Sequence, residues 1–113
     1  MIKISFYVQS SNYVGLDCTG HADYAEYGSD IVCASISTLA GSLALGLKKV
    51  LNLKIDYKVN EKNAKLELRL PKGISDDDMK KAQVLFKTTY LSMEDVCNGY
   101  PENIKMEVKT YVY

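Results

Sequence analysis

Ile2, Ile4, Phe6 and Val8 alternate with Lys3, Ser5, Tyr7 and Gln9, the period of a strand with one buried face. Ser10, Ser11 and Asn12 supply turn chemistry, and Val14, Leu16 and Cys18 then alternate with Tyr13, Asp17 and Thr19. A first hairpin is predicted. Residues 20–30 break the pattern: glycines, small residues, acids and the aromatics Tyr24 and Tyr27 follow no period, so the segment reads as a loop. From residue 31 to about 51, Val32, Ile36, Leu39, Leu43, Leu47 and Val50 recur at helical spacing, with Ser29 or Asp30 as the cap. Ser37, Gly41, Ser42 and Gly46 form a stripe of small residues on that helix. Glycine inside a helix costs roughly 1 kcal/mol relative to alanine, so a close neighbour is expected against the stripe.

Ile55, Tyr57 and Val59, then Ala64, Leu66, Leu68 and Leu70, alternate with polar residues and are joined through residues 60–63, a second hairpin. Pro71 and Gly73 end it. Ser75 followed by Asp78 resembles a capping box, and Met79, Ala82, Phe86, Tyr90, Met93 and Cys97 trace a second helix that Gly99 and Pro101 stop. Ile104, Met106, Val108, Thr110 and Val112 make a last strand. The order ββαββαβ predicts an α+β fold, a two-layer sandwich of a five-stranded mixed or antiparallel sheet with two helices on one face. A length of 113 residues fits a single domain, residues 1–113.

Composition narrows the function classes. Fourteen basic residues balance fourteen acidic ones, which removes the long-range field that draws a protein to nucleic acid. Met1 leads straight into the first strand, and no apolar run in the sequence reads as a membrane span, so a cytoplasmic protein without a membrane partner is expected. Three cysteines, Cys18, Cys33 and Cys97, do not all pair within one chain.

His21 is the one histidine, so any nucleophile that needs an imidazole base must use it. The thiols rank by position. Cys33 is expected in the first turn of its helix, where the partial positive charge favours a thiolate. Cys97 is expected in the last turn of the second helix, on its buried stripe, and Cys18 on the inward face of its strand; both read as core residues. Asp30 has two readings, a helix cap or a carboxylate that orients His21. The amides of Cys33 and Ala34 are candidates for an oxyanion hole. A competing constellation is zinc held by Cys18, His21, Cys33 and Cys97, although no second close ligand pair supports it. The acids Asp76, Asp77 and Asp78 are read as favourable charge at a helix start.

The strings Gly20-His21-Ala22 and Gly28-Ser29-Asp30-Ile31-Val32-Cys33-Ala34-Ser35-Ile36-Ser37 closely resemble the signature of the Prp (YsxB-like) family of ribosomal-processing cysteine proteases. The resemblance implies His21 and Cys33 as the catalytic pair, with Asp30 and Ser37 supporting, and neither metal nor cofactor. It also implies a homodimer and a substrate, the N-terminal extension of large-subunit ribosomal protein twenty-seven, cut after a pair of aromatic residues. Gly20, Ala22, Tyr24, Tyr27 and Ala34 are then the candidate substrate contacts, the two tyrosines lining an apolar groove. Gly20 and Gly28 flank the loop that carries His21, so substrate is expected to bring imidazole and sulfur together. The alternatives are a ribosome-associated binding module without chemistry and a zinc-stabilised structural domain.

Overall fold

The first hairpin forms as the alternation predicts. Strand β1 (Ile2–Gln9) pairs antiparallel with β2 (Asn12–Thr19), with an irregularity between Tyr7 and Val8. Ser10 and Ser11 both adopt positive φ, 51° and 67°, as the tight two-residue turn between right-twisted strands requires. Helix α1 (Ser29–Leu45) runs on into a π-helical turn (Gly46–Val50), and the second hairpin, β3 (Asp56–Asn60) and β4 (Lys65–Arg69), follows. Helix α2 (Asp76–Gly99) and strand β5 (Ile104–Thr110) complete the chain. The computed structural model describes residues 1–20 and 29–113, with the side chains of the second range described from residue 31 onward.

The strands form one sheet in the order β3-β4-β2-β1-β5. β5 lies parallel to β1 and the other pairs are antiparallel, so the sheet is mixed, as the sequence predicts. Ile4, Phe6, Val14 and Leu16 on its inner face meet Val32, Ile36 and Leu43 of α1 and Phe86 and Met93 of α2 in one buried core. Gln83 ties the first hairpin to α2: its amide oxygen accepts from the Tyr13 N–H at 2.7 Å and its amide nitrogen donates to the Tyr13 carbonyl at 2.8 Å. This buried side chain has both ends satisfied, which is the condition for a polar group to sit there at little net cost. The Ser75 hydroxyl accepts from the Asp78 N–H at 3.0 Å, confirming the cap of α2.

Four expectations need correction. Helix α1 begins at Ser29, so Ser29 and Asp30 are its first two residues rather than residues that precede it. The small-residue stripe does not face one neighbour. At Gly46 an added Cβ would meet a Leu85 methyl at 2.9 Å, so α2 uses that gap, whereas nothing lies within 4 Å at Gly41, and Ser37 and Ser42 are exposed. The last strand ends at Thr110, two residues earlier than the alternation suggests. Finally, residues Ile31–Val50 are long and apolar enough to cross a membrane by composition, a property that polar Ser35, Ser37 and Ser42 hide from a search for an unbroken apolar run. In this fold Val32, Ile36, Ala40, Leu43 and Leu47 of that stretch are buried in the core.

Candidate active site

The inner face of the sheet is roofed unevenly, and beside α1 a cleft of about 400 Å³ remains open. Cys33, Ser37 and Ala40 line its helical wall at spacings of four and three, which place them on one side of α1. Tyr57, Val59 and Leu66 line the opposite wall, and Ile2 and Cys18 lie between. Cys33 is half-buried and Ser37 exposed, so sulfur and hydroxyl both look into space large enough for a peptide side chain. Ser35 is different, since its hydroxyl donates back to the Ile31 carbonyl at 2.8 Å. The Ser37 hydroxyl has no hydrogen-bond partner among the described residues.

Cys33 is the fifth residue of α1, not a residue of its first turn. The amides of Cys33 and Ala34 are therefore taken up by the helical ladder, because only the first four N–H groups of a helix lack an internal partner. This removes the expected oxyanion hole at those two amides. Ala34 also faces away from the cleft, into a groove between α1 and α2 with Thr38, Ser92 and Asp95.

The other thiols are placed apart from this wall. Cys18 is buried, with 9 % exposure, and burial, aided by the neighbouring Asp17 carboxylate, pushes its thiol up to about 12. It remains protonated at neutral pH, and it is both a core residue, as the pattern predicts, and part of the cleft floor. Cys97 packs half-buried at the end of α2, its thiol donating to the Ile104 carbonyl at 3.6 Å. Among the described residues no group of three His, Cys, Asp or Glu is arranged to hold a metal ion.

Gly20 closes the end of the cleft and fixes where β2 leaves the sheet. Its N–H donates to the Ala64 carbonyl at 2.9 Å, its φ is +92°, and a Cβ there would collide with the Met1 carbonyl oxygen. Only glycine fits, and the residue after it is His21. The Gly20→Ala variant is expected to lose at least about 2 kcal/mol of stability. Peptide cleavage should fall with it, read by thermal melting and kcat/KM together; a variant with wild-type values of both would show the position to be permissive. His21, Ala22, Tyr24 and Tyr27, the substrate-driven approach of His21 to the sulfur, and the side chain of Asp30 lie outside the described residues.

Comparison with known proteins bears on this arrangement. A family model described as "Cysteine protease Prp" matches residues 1–105. The ribosomal processing cysteine protease Prp of Mycoplasma genitalium is 32 % identical over 111 residues, covering 98 % of this chain and 99 % of that protein. Among solved structures, SMU.848 from Streptococcus mutans superposes with a TM-score of 0.84 at 27 % identity, covering 98 % of this chain and 96 % of that one. An essential ribosomal processing protease Prp from S. aureus, in complex with a covalently linked product peptide, gives 0.81 at 25 % identity, covering 96 % and 100 %.

Proposed function

The chain belongs to the Prp family of cysteine proteases, and from that premise we propose that it removes the N-terminal extension of large-subunit ribosomal protein twenty-seven, cutting after an aromatic pair. The observation that carries this reading is the cleft itself: a half-buried thiol on a helix wall, opposite apolar walls, with a hydroxyl one turn further on that has no partner among the described residues. The S. aureus relative carries a covalently linked product peptide, which supports a covalent intermediate in the reaction proposed for this chain.

Cys33 is the nucleophile and His21 its base. The imidazole takes the thiol proton, sulfur attacks the scissile carbonyl, and the C–N bond breaks as His21 returns the proton to the leaving amine. Water, deprotonated by the same imidazole, then cleaves the thioester and frees Cys33. Asp30 holds the imidazole, and the Ser37 hydroxyl donates to the substrate carbonyl in place of the helix amides already engaged. Neither metal nor cofactor takes part in the scheme.

The test is to incubate the protein with a peptide of the ribosomal extension and read the products by mass. Two fragments meeting after the aromatic pair are expected; uncut peptide overturns the reading. The protein works in the cytoplasm on a protein substrate, without direct nucleic-acid contact, in keeping with its zero formal charge. It acts as a homodimer, a reading supported by Ile31, Leu45, Val84 and Leu91, large apolar side chains exposed on the two helices. Light scattering should give about twice the 12.6 kDa chain mass, and a monomer at micromolar concentration would reject the dimer.

A further inference from the structure

Helical cover over the inner face of the sheet ends stepwise along one cross-strand row. The register places Ile4 opposite Cys18, Cys18 opposite Leu66 and Leu66 opposite Val59. Exposure rises along that row, from nothing at Ile4 to 9 % at Cys18, half-buried at Leu66 and 54 % at Val59. All four are apolar and all point to the side of the helices, while Asp56 and Lys58 of β3 point the other way. One exposed valine alone would be unremarkable. This one ends a continuous apolar row whose next two members, Leu66 and Cys18, form part of the wall and floor of the cleft that holds Cys33.

We propose that Val59 and Leu66, with Cys18 beneath them, form the subsite that selects an apolar side chain of the substrate peptide close to the cut bond; the proposal rests on Cys33 being the nucleophile. The occupant is an extended peptide segment. Cys33 to Ala40 spans seven residues of α1 along the cleft, which at helical rise is roughly 10 Å, the length of about three residues of extended chain. The segment therefore lies between α1 and β3, with the reacting carbonyl at Cys33 and its side chain on the row that the helices leave bare. Burying that side chain covers Val59 and Leu66, the part of the row that the protein itself leaves open. Cys18, a protonated thiol at neutral pH, completes the floor as a small apolar group.

The experiment uses a peptide that the wild-type protein cuts, and a series of it in which each residue near the cut is replaced by aspartate. Val59→Asp should lower kcat/KM on the parent peptide about tenfold or more, with the loss carried by KM, and one peptide of the series should lose as much on wild-type protein. Val59→Lys should cut that one aspartate peptide better than wild type does, a charge exchange that a merely structural residue would not give. The rate of Cys33 alkylation by iodoacetamide and the melting temperature monitor the thiol and the fold, and Leu66→Ala provides a second variant of the same row. Val59→Asp and Leu66→Ala both cutting the parent peptide with wild-type KM would overturn the subsite and leave the protease reading standing. Wild-type protein that cuts no peptide of the series would overturn the protease reading, and the subsite with it.

Discussion

Replacing Cys33 with alanine is expected to lower kcat/KM for the ribosomal-extension peptide by on the order of 10⁴-fold or more. Among the described residues of the cleft Cys33 is the thiol open to a substrate, for Cys18 is buried and held as a neutral thiol. Folding should be spared: Cys33 is half-buried, and exchanging its sulfur for hydrogen removes little packing. His21→Ala should cost a comparable factor, and the double variant little more than either single one, because in the proposed mechanism nucleophile and base act as one unit. Cleavage that survives in Cys33→Ala, with peptide and products confirmed by mass, would move the chemistry to another residue.

That Cys33 stands out from sequence follows from locality. The strings around His21 and Cys33 are short, and their meaning does not depend on which distant strands pair. Strand alternation and the capping serine are equally local, and the mixed α+β order emerges from them. What the pattern misses is set by register. Cys18 reads as a core residue and is one, yet its place on the cleft floor depends on β2 pairing with β4 and on α1 stopping short of β3. The oxyanion hole expected at Cys33 and Ala34 fails for a similar reason, because two extra residues at the start of α1 move both amides into the ladder. Gly20 was legible as part of a motif, but the carbonyl that forbids a side chain there belongs to Met1, just before the neighbouring strand β1.

The outer face of the sheet is where sequence is least informative and where the largest stability effect is expected. Arg69 donates to both oxygens of Asp17, at 2.7 and 3.2 Å, and its guanidinium lies 4.2 Å from the centre of the Tyr7 ring and 4.9 Å from that of Tyr111. The Tyr7 hydroxyl donates to the same carboxylate at 3.0 Å; burial, then that bond, pushes its phenol above the usual range and keeps the proton in place. Gly15 makes this possible. It stands between Tyr7 and Arg69 in the register, and a Cβ there would lie 2.7 Å from the arginine chain. No local pattern marks any of these residues, which lie on three strands and the C-terminal segment that follows β5.

Arg69→Leu is therefore expected to cost about 3 kcal/mol and lower the melting temperature by roughly 10 °C. Removing the guanidinium leaves Asp17 with the Tyr7 hydroxyl, directly opposite the carboxylate of Glu67, and takes the cation away from the Tyr7 and Tyr111 rings. The side chains of Arg69 and Asp17 keep 19 % and 16 % exposure, so the figure is set at the lower end for a buried pair, solvent screening part of the charge. The double variant Asp17→Leu with Arg69→Leu should be more stable than Arg69→Leu alone, since it also removes the stranded carboxylate. A single variant that melts within about 2 °C of wild type would show the cluster to be surface decoration. The cleft opens on the opposite face, so the destabilised variant should still cut peptide well below its melting temperature, which separates the network that holds the sheet from the side chains that do the chemistry.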